Sequence, residues 1–199
     1  SDTSAQVRQE CIKALTALEM PEGLPAIEKA LTDRAGSVRL AAVWGLYRLA
    51  GTESAPALLS MLSDKDEEVR RRTATCIGWL GQEELAGRLT PLMNDSSVSV
   101  RRAAAEAMGN LGNKQVVLPM IEHLKDPDKA TRKIVLGAIE KITGKQMNYT
   151  FGPEREADHI WWISDISKAR SHYPKWDIGI TLEEVFKDIY EALAPHYEK

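Results

Sequence analysis

Residues 95–112 read Asp95-Ser96-Ser97-Val98-Ser99-Val100-Arg101-Arg102-Ala103-Ala104-Ala105-Glu106-Ala107-Met108-Gly109-Asn110-Leu111-Gly112, and this stretch decides the fold. Its skeleton is an aspartate, four residues, then Val-Arg at the head of an apolar-periodic run. The skeleton recurs at Asp2/Val7-Arg8, Asp33/Val38-Arg39 and Asp64/Val69-Arg70. A fifth copy has threonine for valine, at Asp126/Thr131-Arg132. Each copy follows the last by 31 residues, with no insertion. Self-similarity at a fixed period of this size is the signature of a stacked repeat array.

Counting the valine as position 0, position 8 holds Leu15, Leu46, Ile77, Met108 and Ile139, and position 11 holds Leu18, Leu49, Leu80, Leu111 and Ile142. Position 4 holds Cys11, Ala42, Thr73, Ala104 and Val135, and position 7 holds Ala14, Gly45, Cys76, Ala107 and Ala138. Apolar residues at 0, 4, 7, 8 and 11 form one face of an α-helix. The small residues at 4 and 7 let a neighbouring helix come close. Gly51, Gly81 and Gly112 follow three of these runs and suit a helix C-terminus. A shorter second helix is expected after each of the first four, with core pairs Ile27/Leu31, Leu58/Leu62, Leu89/Met93 and Met120/Leu124. Pro25, Pro56 and Pro119 sit near its first turn, where a missing N–H costs little. In the third copy Gly87 replaces the proline and Pro91 falls later, which predicts a kink. Such helix pairs bury their apolar faces only by stacking on one another.

The pattern Asp-x4-Val-Arg-x2-Ala-Ala-x2-Leu-Gly resembles HEAT repeats, and within them the short HEAT-like class named after phycobilisome lyases. Asp33/Val38-Arg39 with Ala41-Ala42, and Asp95/Val100-Arg101 with Ala103-Ala104 and Leu111-Gly112, carry the likeness best. The resemblance covers residues 1–144. It implies an all-α fold, a right-handed α-α superhelix of 31-residue repeats that starts in mid-repeat. Such a start would suit a piece of a longer solenoid. The resemblance also implies that the aspartate caps the turn before the Val-Arg helix and that the arginine joins a ladder between repeats. Carried over, the ladder is Asp33, Arg39, Asp64, Arg70, Asp95, Arg101, Asp126 and Arg132, with Asp2 and Arg8 at its head. In the family the Val-Arg helices line the concave side.

Residues 145–199 have another texture. They hold three of the five tryptophans and both phenylalanines, and they carry the net charge of −3, leaving the repeats neutral. Helices are expected from about Glu154 to His172 and from Thr181 onward, where Glu184 completes a capping box. We read this tail as a helical C-terminal cap on the array, with a docking element as the alternative.

The composition narrows function. With 43% apolar and 28% charged residues the chain has a globular, water-soluble make-up. A net charge of −3 gives no field that would draw a nucleic-acid duplex, and no run reaches a membrane span. The two cysteines, Cys11 and Cys76, form no CxxC and both fall on apolar helix positions two repeats apart, so we expect neither a metal site nor a disulfide between them. No histidine pairs with another His or a Glu at metal-binding spacing, and the His-Glu dipeptides of the HEAT-like deoxyhypusine hydroxylase are absent. No nucleophile elbow or phosphate loop is present. The chain is therefore read as non-enzymatic, without a cofactor. Compartment is left open, with a lean to the cytoplasm and a processed periplasmic form as the other choice.

The clue to function lies in the positions expected to face out of the long helices, namely 2, 3, 6, 9 and 10. They gather Trp44, Tyr47, Arg48, Arg71, Arg72, Trp79, Arg102 and Asn110, with Gly78 and Gly109 leaving room beside them. Large aromatics and arginines on a solvent face mark binding surfaces and suit an acidic or aromatic-bearing peptide. The expected function is a protein-interaction scaffold that holds a partner segment in the concave groove. The alternatives are a lyase- or chaperone-like binder of a chromophore or apo-protein, and a structural segment of a longer solenoid or larger assembly.

Overall fold

A computed structural model describes residues 4–146. They form an all-α solenoid. The long helices are α1 (Ala5–Ala17), α3 (Gly36–Ala50), α5 (Glu67–Leu80), α6 (Val98–Leu111) and α8 (Lys129–Thr143). The short ones are α2 (Leu24–Ala30), α4 (Ala55–Ser60) and α7 (Val117–Glu122), flanked by 3-10 turns. The long helices pack in chain order, each on the next. Asp2 and the tail reading from residue 147 onward lie outside the described residues.

The repeat positions explain the core. Position 0 is buried at Val38, Val69, Val100 and Thr131, and position 8 at Leu46, Ile77, Met108 and Ile139. Ile27, Leu58, Leu89 and Met120 of the second helices close over them without solvent exposure. The third repeat departs from expectation. Instead of a kinked α-helix, the whole of Glu83–Asn94 winds as a 3-10 helix. Gly87 favours helix weakly and Pro91 removes a donor, so the tighter turn wins. Ala86, Leu89 and Leu92, three apart as that turn requires, are all buried.

One ion pair repeats between neighbours. Arg39 Nε and Nη2 donate to the two carboxyl oxygens of Asp64, both at 2.7 Å. Arg8 meets Asp33 in the same fork at 2.7 and 2.9 Å, Arg70 meets Asp95 at 2.6 and 2.8 Å, and Arg101 meets Asp126 at 2.6 and 3.1 Å. The third guanidinium nitrogen turns back to the aspartate of its own repeat. Nη1 of Arg39, Arg70, Arg101 and Arg132 donates to the main-chain carbonyl of Asp33, Asp64, Asp95 and Asp126 at 2.8–2.9 Å. Each of these aspartates also accepts the N–H two residues on, from Ala35, Asp66, Ser97 or Asp128. That bond shapes the turn that enters the long helix. Arg39, Arg70 and Arg101 thus each tie three points: their own turn, their helix and the next turn.

These bonds depress the carboxyl groups of Asp33, Asp64 and Asp95. The Arg8 fork, helped by the Ala35 N–H, holds Asp33 at about 2. Arg70, with the Ser97 N–H, also lowers Asp95 below the usual carboxylate range. At Asp64 burial pushes the other way, and the Arg39 pair with the Asp66 N–H outweighs it.

Helix α1 marks the end of the described array. Cys11 is exposed, not buried as its position predicted, and so is Ala14. Val7 is 47% exposed and Leu18 70%. Positions 4 and 7 receive the preceding long helix in every later repeat, and among the described residues none precedes α1. Cys76 behaves as expected. It is fully buried, and burial pushes its thiol up to about 12, which makes it inert. Both cysteines are free.

Two outcomes follow. Asp33, Asp64 and Asp95 sit below their unfolded value of about 3.9, so the folded state binds fewer protons. Their stabilisation is complete above about pH 5 and is lost as pH falls toward about 2. Urea midpoints should hold from neutral pH down to about 5 and then drop. Asp95→Asn should cost about 3 kcal/mol at neutral pH and flatten part of that drop. The second outcome concerns Glu19, which ends α1 at φ +51°, a conformation that the other long helices give to glycine. Glu19→Gly should raise stability by about 1 kcal/mol and the melting midpoint by about 2–4 °C, read by calorimetry. Its ion pair with Arg48, at 3.6 Å, is exposed on both sides and contributes little.

Candidate functional site

Trp44 and Tyr47 lie one turn apart on α3, so their rings share a face. Trp79 comes from the last turn of α5. The ring centres are 5.6 Å apart for Trp44 and Tyr47, 6.1 Å for Trp44 and Trp79, and 5.6 Å for Tyr47 and Trp79. The two indoles meet edge-on at 77°, a favoured aromatic arrangement. Arg72, at the other end of the α5 seam, lays its guanidinium 5.5 Å from the centre of the Trp44 ring. Trp44 and Tyr47 are half-buried and Trp79 is 47% exposed. The three rings therefore form a ridge along the α3–α5 seam that packs on itself yet still presents an indole to water.

The remaining residues of the expected site are placed less openly. Arg71 is closed onto Glu68 of its own helix, with a shortest contact of 2.6 Å. Arg102 forks onto Asp128 at 2.8–3.0 Å. Asp128 in turn caps α8 through the N–H and hydroxyl of Thr131. Burial would raise the Asp128 carboxyl, but the Thr131 bonds and Arg102 outweigh that and hold it at about 2. Asn110 accepts a hydrogen bond from Lys141 of the next long helix at 2.8 Å. Arg48 has the long contact to Glu19 described above. The structure thus brings Trp44, Tyr47, Arg72 and Trp79 together and holds Arg71, Arg102 and Asn110 in bonds within the array.

The outward face is narrower than the periodicity suggested. Ala41 and Ala103 at position 3, and Thr16, Gly78 and Gly109 at position 9, are buried. The long helices approach so closely that position 9 of one meets position 7 of the next. A Cβ on Gly78 would stand 2.7 Å from Ala107 Cα, and one on Gly109 2.7 Å from Ala138 Cβ. These glycines do not leave room for a ligand; they make room for a helix. Two features were not singled out from the sequence. One is the tie of Arg102 to Asp128, for which the capping aspartate three residues before Thr131 was the available signal. The other is an open hollow of about 360 Å³ between α6 and α8, bordered by Glu106, Asn110, Ile134, Gly137 and Lys141. It occupies the seam positions that the rings fill between α3 and α5. Gly137, where the long helix could carry a side chain, was its signal.

Three overlapping matches to the model for HEAT repeats span residues 1–78, 35–102 and 85–147. The chain belongs to the HEAT-repeat family. Among curated proteins none matches it. HEAT repeats generally mediate protein–protein interaction, and HEAT-repeat proteins are typically non-enzymatic scaffolds. No helix among the described residues is long and apolar enough to cross a membrane. The aromatic ridge thus stands on an array type that works by offering surface, with its rings fixed by the spacing of two HEAT helices.

That spacing yields a contrasting pair of outcomes. Gly78→Ala must push α5 and α6 apart, and overpacking of this kind costs about 1–3 kcal/mol, more than the propensity that alanine adds. Gly137 is exposed and a Cβ there meets nothing within 4 Å. Gly137→Ala should therefore stabilise by about 1 kcal/mol. Urea unfolding of the two variants measures both.

Proposed function

We propose that the chain is a non-enzymatic interaction module that holds a segment of a partner protein on the face of its long helices, centred on α3 and α5. The observation that carries this is the ridge of Trp44, Tyr47 and Trp79 with Arg72 stacked beside it. Aromatic rings and arginines dominate the binding energy of protein interfaces because they bury much area at small entropic cost. A ridge already packed in place loses little freedom when a partner covers it. Arg48 and the hollow between α6 and α8 extend the same face to either side. The 31-residue period supports the narrower placement in the short HEAT-like class.

A second reading has its own support. Val7, Cys11, Ala14 and Leu18 form an exposed apolar stripe on α1, at positions that the later long helices turn toward their predecessor. This favours docking of α1 onto another helical repeat or a subunit of an assembly.

One capture experiment separates them. Wild type, the triple variant Trp44→Ala/Arg72→Ala/Trp79→Ala and Leu18→Glu are used as baits in lysate of the native source, with circular dichroism to show that each is folded. We expect a partner that binds wild type and Leu18→Glu and is lost from the triple variant. A partner lost from Leu18→Glu and kept by the folded triple variant would overturn the first reading in favour of the second.

A further inference from the structure

We propose that Arg72 is a carboxylate anchor and that the partner is an acidic segment carrying an aromatic or apolar side chain beside the acid, which lies against Trp79. The inference rests on the binding reading above and names its chemistry.

The arginines of this face are not equivalent. Arg71 has its carboxylate in Glu68, one turn away on the same helix, and Arg102 has Asp128. The ladder arginines Arg39, Arg70 and Arg101 each fork onto an aspartate. Arg72 differs from all of them. Among the described residues it makes no hydrogen bond and no ion pair; it is half-buried, with its guanidinium over the Trp44 ring and the Glu68 carboxylate near enough only for a through-space attraction. The ring holds one side of the guanidinium, and its N–H groups have no acceptor among the described residues. A planar fork held in this way is preorganised for a bidentate carboxylate.

The surroundings specify the rest of the ligand. Trp79 stands edge-on to Trp44 with nearly half of its surface open, so an apolar side chain has a ring to cover two turns along α5 from Arg72, across the Trp44 ring. A neutral segment covering Trp79 would desolvate Arg72 and give it no partner, which is costly. A basic segment would meet Arg72 and Arg48, whose contact with Glu19 is too long for a hydrogen bond. A nucleic-acid strand also offers anions and rings, but it needs a line of cations. Here Glu68 and Asp128 already neutralise the neighbours of Arg72 on the seam, and the chain is net negative.

The test uses the full chain and four probes: a capped Glu-Glu-Phe-Glu-Glu peptide, its Gln and Lys counterparts, and an oligothymidylate. Spectra of ¹⁵N-labelled protein follow the Arg72 Nε–H and the indole N–H groups of Trp44 and Trp79. The acidic peptide should shift all three groups and bind at least about tenfold more tightly than the Gln peptide, the gain of a charge-assisted pair. The Lys peptide should not bind. Arg72→Gln should lose about the same factor and Arg72→Lys part of it, because the charge stays and the fork goes. Arg71→Gln should change affinity less than about threefold, since its carboxylate is internal. Circular dichroism and the ring shifts of the unbound variants show that the ridge survives. Equal binding of acidic and Gln peptides, equal loss from Arg71→Gln and Arg72→Gln, tighter binding of the oligonucleotide, or no shift at millimolar acidic peptide each overturns the proposal. A Gln peptide that shifts Trp79 as strongly as the acidic one would sink only the carboxylate anchor, and the face would stand as a binding surface.

Discussion

The bidentate bond from the arginine of one repeat to the aspartate of the next is the constraint on which the array depends. It is formed four times among the described residues, from Arg8 to Asp33, Arg39 to Asp64, Arg70 to Asp95 and Arg101 to Asp126. A fork of two parallel bonds fixes orientation as well as distance. The same guanidinium binds the main-chain carbonyl at its own turn, so the rise and rotation from one repeat to the next are set by one side chain. Arg39 and Asp64 are almost wholly buried in this bond, and an uncompensated partner would be a buried charge. That explains why the 31-residue spacing runs without an insertion. An added residue would move the aspartate out of reach of the fork.

With the rise fixed, side-chain size decides what each seam does. Where position 9 is glycine and position 7 is alanine, at Gly78–Ala107 and Gly109–Ala138, the long helices close to backbone contact. Where position 9 is Tyr47, the seam is topped by rings, and Trp44, Tyr47 and Trp79 rise above it. Between α6 and α8 the corresponding positions hold Glu106, Gly109 and Gly137, and the seam is hollow. One scaffold thus carries a ridge and a depression on the same face without any change of backbone plan. The ridge and its stacked Arg72 support a role in binding. The arginines forked onto aspartates, Arg8, Arg39, Arg70 and Arg101, support the array.

The repeat, the core and the ladder were legible because each is written five times, and a period averages out local exceptions. Position 0 and position 8 gave the core directly. The errors fall where a neighbour, not the helix itself, decides. Cys11 looks buried by periodicity but needs a preceding helix to cover it, and none is among the described residues. Glu83–Asn94 was expected to kink at Pro91, but the choice between a kink and a tighter helix rests on how Ala86, Leu89 and Leu92 meet the core. Positions 3 and 9 were counted as outward from a single helix, and close packing hid those with small residues, Ala41, Ala103, Thr16, Gly78 and Gly109, while Arg72 and Tyr47 stay at the surface. The candidate face was legible as a set of residues, while its partition into paired and unpaired arginines was not. Arg71, Arg72 and Arg102 are alike in sequence, and only geometry shows that two have internal carboxylates and one stands on a tryptophan.

The central claim is that partner contact is concentrated on the α3–α5 ridge. Hydroxyl-radical footprinting of the full chain, alone and with its captured partner, tests this most directly, because it reports side-chain coverage residue by residue. The account predicts strong protection of Trp79 on binding, with Trp44 and Tyr47 protected to the extent that they are exposed. Protection confined to the short helices or to Leu18 on α1, with Trp79 as reactive as in the unbound protein, would contradict it.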